Sequence, residues 1–146
     1  MSIPPEGRKP SKPARLSRLA VDGWELDSGV ARKKEAPNKF WIPATKKRSG
    51  IVAGDFVKLI FQVLVQDEAG RETVFGERMW VKAEGTDGPY FWGTLANDPS
   101  FDGQSIGLAF GAEVAFLPEH IINVMSADEQ QKQGQASFAH AKKRLN

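Results

Sequence analysis

The stretch Phe56–Gln66 constrains the fold of this chain most strongly, because Val57, Leu59, Phe61, Val63 and Val65 recur at every second residue. Side chains alternate faces along a strand, so this stripe lines one face of a sheet. Fully burying one such side chain is worth about 1.5–3 kcal/mol, which makes the stripe the expected anchor of a core. The other face reads Phe56, Lys58, Ile60, Gln62, Leu64 and Gln66, a mixture that suits a surface covered only in part. Asp67-Glu68-Ala69-Gly70 is turn chemistry, and Thr73–Glu84 is predicted to return as the antiparallel partner. Met79, Val81 and Ala83 then point inward, and Arg78, Trp80 and Lys82 outward.

Further strands follow from the same logic. Glu84–Pro89 is a dense turn signal, and Tyr90–Ala96 is a third strand ended by Asn97-Asp98-Pro99. Glu113–Leu117 is a fourth strand, Pro118-Glu119-His120 a short turn, and Ile121–Met125 a closing strand. Phe40–Pro43 reads as a short edge strand stopped by Pro43. The fold class expected is α+β and β-rich: a curved antiparallel sheet, or a small, partly open SH3-like or OB-like barrel, with a C-terminal helix. Residues 1–19 carry four Pro and five Lys/Arg with little to bury, and are expected to form a basic, flexible arm. A single domain spans 20–125. Residues 126–146 are expected to form a helical tail, opened by the capping box Ser126-x-x-Glu129.

Composition narrows the chemistry. The chain has no Cys, which removes disulfides, thiolate metal sites and a Cys nucleophile and suits a reducing compartment. The N-terminal basic residues are not followed by an apolar core, as a secretory signal requires, and no apolar run reaches membrane-spanning length. A cytoplasmic location without membrane association is expected. Charge is uneven: residues 1–48 hold twelve Lys/Arg against five Asp/Glu, while 49–146 hold eight against thirteen. A basic front is either a nucleic-acid arm, with Arg32, Lys33, Lys34, Lys46, Lys47 and Arg48 as contacts, or a solvated surface beside an acidic body.

Three patterned runs carry a resemblance: Glu77-Arg78-Met79-Trp80-Val81, then Gly93-Thr94-Leu95-Ala96-Asn97-Asp98-Pro99, then Gly111-Ala112-Glu113-Val114-Ala115-Phe116 leading to Ile121. Over residues 75–124 the chain resembles the bacterial YegJ-like family, domain of unknown function 2314. Members share a Glu-x-hydrophobic-Trp-Val strand, a Gly-x-Leu-x-Asn-x-Pro turn and a Gly-Asp-x-Val-x-Phe strand. The third run departs from the pattern, with Ala112-Glu113 where the family has a single Asp. Related small domains occur among proposed immunity proteins of bacterial toxin systems, so the resemblance implies an interaction role. It supplies no catalytic residue to carry over.

Candidate binding residues are Arg78, Trp80, Lys82, Tyr90, Trp92, Asn97 and His120. Trp80, Tyr90 and Trp92 fall on the face away from Met79, Val81, Phe91 and Leu95 by alternation, as cross-strand neighbours if the strands pair. They form either an aromatic patch for a protein partner or a second core layer under a helix or terminal segment. His120 suits acid–base work near neutral pH, or else stiffens its corner by bonding the backbone. No nucleophile constellation, phosphate loop or dinucleotide fingerprint is visible, and one dependable His with scattered carboxylates is poor metal-binding material. No catalytic residue, metal or cofactor is expected. The leading expectation is a non-enzymatic protein-interaction module of the bacterial cytoplasm, immunity-like, working through an aromatic sheet face. The alternative is a nucleic-acid-binding small barrel with a basic arm, and a hydrolase built on His120 comes third.

Overall fold

A computed structural model describes residues 7–129. The expected β-rich architecture is present as one six-stranded, curled antiparallel sheet. Its spine is β2 (Phe56–Gln66), paired along its whole length with β3 (Glu72–Asp87), from Phe56 opposite Lys82 to Gln66 opposite Glu72. Asp67 closes the hairpin. Its carboxylate accepts the N–H groups of Ala69 and Arg71, both at 2.9 Å, while Gly70 takes the left-handed conformation at φ 82°.

The meander continues through β4 (Tyr90–Leu95) to β5 (Glu113–Phe116). A 3₁₀ turn at Pro118–His120 then delivers β6 (Ile121–Met125) back to the start of β2, where Val57 faces Val124. A short strand, β1 (Trp24–Leu26), pairs with Phe61–Val63 farther along the same edge of β2. A meander whose last strand returns to its first is the plan of a partly open small barrel.

The inner stripe fills this barrel. Val57, Leu59, Phe61 and Val63 are fully buried and meet Met79, Val81, Ala83, Leu95, Val114 and Phe116. Trp24 caps one end against Phe61, with ring centroids 5.6 Å apart. The Phe91 and Phe116 rings pack at 5.7 Å across β4 and β5. Gly93 is required where it stands, since a Cβ there would come within 2.2 Å of the Lys82 carbonyl oxygen.

Several boundaries differ from the sequence expectation. β3 does not stop at Glu84; a bulge between Ala83 and Gly85 lets it run on to Asp87, so the turn into β4 is only Gly88-Pro89. Residues 40–43 form no strand. The basic connections are instead short helices, α2 (Gly29–Glu35) and α3 (Thr45–Ser49), preceded by the single turn α1 (Leu19–Asp22). Ser28 starts α2 by accepting the Ala31 N–H at 3.1 Å, a cap signal present in the sequence. The final element, α4 (Ala127–Glu129), opens with the expected reciprocal cap: Glu129 N–H donates to Ser126 Oγ, and Ser126 N–H donates to the Glu129 carboxylate. The rest of the expected tail lies outside the described residues. Among the described residues no helix is long and apolar enough to cross a membrane.

Residues 7–18, expected to be a flexible arm, lie along the barrel. Gly7 bridges Gly85, Arg8 N–H donates to the Glu84 carbonyl at 3.1 Å, and Ala14 N–H donates to the Asp87 carboxylate at 2.8 Å. These contacts are polar and need no apolar groups from the segment.

Candidate functional site

The outer face of the sheet is set by the even-numbered residues of β2 and β3. Register places Lys58 opposite Trp80, Ile60 opposite Arg78 and Phe56 opposite Lys82. Arg78 and Lys82 are exposed and Trp80 is half-buried, so the three residues singled out on β3 do share one open surface. The Lys58 ammonium sits 5.6 Å from the Trp80 ring centroid, and the Arg78 guanidinium 5.4 Å from the Phe40 ring. Two contributors went unrecognised in the sequence reading. Lys58 was legible as the one cation on the mixed face of β2, whereas Phe40 reaches Arg78 only through the path of the chain before α3. Beside Phe40, Trp41 is 66% exposed.

Asn97 positions this surface from behind. Its side-chain carbonyl accepts the Trp80 backbone N–H, and the neighbouring Ala96 N–H donates to the Trp80 carbonyl at 2.9 Å. The turn that ends β4 thus continues the ladder past the strand and holds the Trp80 backbone from both polar groups.

Trp92 has a different position from the one an exposed patch requires. Its side chain does project to the same face as Trp80, as alternation predicts, but it is only 1% exposed. The β3–β4 register sets it opposite Gly85, toward the hairpin end from Trp80, so the two are not cross-strand neighbours. The segment at Arg8 covers it: the indole N–H donates to the Arg8 carbonyl at 2.8 Å, and the Arg8 guanidinium lies 4.9 Å from its ring. Trp92 belongs to a second core layer. Tyr90 is half-buried at the hairpin end, opposite Asp87.

His120 is 6% exposed and keyed to the backbone. Its Nδ1 accepts the Leu117 N–H at 2.9 Å, which requires the neutral ring with the proton on Nε2. Burial pushes its pKa below the usual imidazole range, against the opposing pull of the Glu119 and Asp27 carboxylates. A ring so held stiffens the corner before β6 and is poorly placed to shuttle protons.

The basic residues divide likewise. Arg48 is a correction to the proposed nucleic-acid contacts: it is 7% exposed, and its guanidinium donates to the carbonyls of Pro43 and Pro118 and to Thr45 Oγ1. It ties α3 to the 3₁₀ turn. A five-donor planar fork suits such a site, and composition alone does not distinguish this use from a surface charge. Arg32 pairs with Asp27 at 2.7 Å and Lys33 donates to the Pro37 carbonyl, while Lys34, Lys46 and Lys47 are exposed. Burial would raise the Asp27 pKa, but bonds from Arg32, Gln62 and Ser28 outweigh it and hold the group below the usual range.

Among the described residues no group of three or more His, Cys, Asp or Glu is placed to hold a metal ion. No family model, curated protein or solved structure matches this chain.

Proposed function

We propose that this protein is a non-enzymatic protein-interaction module of the bacterial cytoplasm, immunity-like as its resemblance to the YegJ-like family implies. Its contact surface is the open part of the outer sheet face, and it recognises an acidic partner surface. One observation carries this reading: Trp80 stands half-exposed among Lys58, Arg78 and Lys82, with the Lys58 ammonium over its ring. Aromatic and Arg side chains are the usual anchors of interfaces, and a cationic rim steers an anionic partner toward them. Trp92 is omitted from the surface because it is buried, Asn97 supports it through the Trp80 backbone, and His120 is buried at the corner before β6.

The same cations with an aromatic ring favour a second reading, stacking of single-stranded nucleic acid on the face, with Lys46 and Lys47 as flanking contacts. One experiment separates the two. The purified protein and the variants Trp80→Ala and Arg78→Ala/Lys82→Ala are used for capture from cytoplasmic lysate, with and without nuclease and across a salt series. A single protein partner that survives nuclease and is lost from both folded variants supports the module. Capture that nuclease abolishes transfers the face to nucleic acid. Capture unchanged in both variants removes the surface from consideration.

A further inference from the structure

The segment over Trp92 is bound in the manner of a ligand. Between Gly7 and Ala14 it is non-helical, with a bend at Ser11-Lys12, and Pro10 and Pro13 fix φ on either side of that bend. Gly7 crosses so close to β3 that a Cβ on it would fall 1.8 Å from the Glu84 carbonyl oxygen. The sheet meets the segment through three carboxylates. Glu84 lies 3.5 Å from the Arg8 guanidinium, and Asp87 takes the Ala14 N–H and sits 3.9 Å from the Lys9 ammonium. Glu113 accepts both the N–H and the hydroxyl of Ser11, at 3.0–3.1 Å. The Trp92 indole N–H donates to the Arg8 carbonyl, and the Lys9 ammonium donates to the Thr86 carbonyl at 3.2 Å.

Two features separate this attachment from ordinary core packing. The charged heads are mostly solvent-facing, with the Arg8 and Lys9 side chains 62% and 67% exposed, so each ion pair holds weakly and is screened by salt. A half-open pocket of about 390 Å³ borders the middle of the segment, lined by Pro10, Lys12 and Pro13 together with Trp92, Ile106 and Val114. Beside this opening the segment makes fewer dispersion contacts than a close-packed interior strand would.

We propose that the groove formed by Glu84, Asp87, Trp92 and Glu113 is a peptide-binding site for a non-helical, basic, proline-containing segment of a partner protein. The chain's own residues 7–15 fill it as a tethered, displaceable occupant. Recognition rests on main-chain bonds and on carboxylates facing Lys and Arg, which any segment of this chemistry satisfies. The tether gives the internal segment a high effective concentration, so a free peptide competes only when the strap is weakened. Ser11 is the natural latch, because a negative charge there would face Glu113 at contact distance.

The test uses the full-length chain with ¹⁵N-labelled indoles, the Trp92 signal being assigned with Trp92→Phe. In Ser11→Asp that signal is expected to leave its wild-type position, and a synthetic peptide of residues 7–17 is expected to return it. Apparent peptide affinity should be at least about tenfold higher in Ser11→Asp than in the wild-type chain, and should fall as salt rises. Adding Asp87→Lys to Ser11→Asp should lower it by about tenfold again. If Ser11→Asp fails to fold, Arg8→Ala/Lys9→Ala carries the same titration, since both heads are exposed. The proposal is overturned if the Trp92 signal keeps its wild-type position in both strap variants. It is equally overturned if a folded, released variant shows no response to millimolar peptide.

Discussion

Trp80 on β3 and Trp92 on β4 project from the same face of the same sheet, yet one borders an open cationic surface and the other is sealed beneath the chain's first described residues. Nothing in their own strands explains the difference. Both sit at outward positions between inward apolar residues, in Arg78-Met79-Trp80-Val81 and Phe91-Trp92-Gly93. The β3–β4 register places Trp92 toward the hairpin end, where Glu84 and Asp87 collect the basic segment laid over it. Outward is therefore a statement about the pleat, and exposed is a statement about what else the chain places there.

Truncation offers the largest contrast. Trp92→Ala is expected to cost about 3–5 kcal/mol of folding stability, as for a buried aromatic, while Trp80→Ala should cost less than about 2 kcal/mol. Urea denaturation of both variants measures the gap, and equal losses would mean that the two halves of the face do not differ in burial as described. Next in size is Arg48→Ala, expected to lose about 2–3 kcal/mol by removing the donor to the Pro43 carbonyl and the tie from α3 to Pro118. By contrast, Lys47→Ala next to it should fall within about 0.5 kcal/mol of wild type.

The pH dependence sharpens the same division between buried and exposed charge. His120 accepts a bond on Nδ1 and has a depressed pKa, so the fold favours its neutral form. Its contribution is complete above the ordinary His value of 6.5 and is lost as pH falls from there toward the folded-state value, where the folded chain also protonates. Thermal melts between pH 7.5 and about pH 5 should show this decline, and His120→Gln should flatten it. A smaller acid-range effect belongs to Asp22. A hydrogen bond from Arg15 chiefly, with the Arg18 N–H, lowers its pKa to about 2. Its contribution is present above the ordinary value of 3.8 and disappears as pH falls toward about 2; Arg15→Ala should reduce it, leaving the share held by the Arg18 N–H.

The smallest effect on stability is expected at the proposed contact surface itself. Lys82→Ala should change stability by less than about 0.5 kcal/mol while reducing partner capture, since an exposed cation contributes to encounter more than to folding. A stability loss beyond that would show Lys82 to be part of the structure and weaken the case for an open face.

Much of the fold was legible because it rests on local periodicity. The stripe Val57–Val65 fixed the spine and its inner face, and the limits of β6 coincide with the apolar run Ile121–Met125. The Ser126–Glu129 cap needed only residue type and spacing. The helices at 29–35 and 45–49 were obscured by dense positive charge, although Ser28 marked one start. Of the candidate residues, Arg78, Trp80 and Lys82 stand together on the open face. Asn97 and His120 turn out to be bonded to backbone, and those roles depend on which N–H groups the tertiary turn presents.

By itself, then, the amino-acid sequence determined the alternation that sorts each strand into an inner and an outer face, and with it the composition of the core. That information is contained within a few neighbouring residues, at the period of the pleat. Only the tertiary structure decided which outward residues meet solvent. The cover over Trp92 comes from residues more than seventy positions away in sequence, held by carboxylates on two different strands, β3 and β5. Arg48 is buried for the same reason, because the carbonyls that satisfy it include Pro118, 70 residues distant. Burial of a polar or aromatic group depends on partners brought by the whole chain, and local pattern carries no record of them.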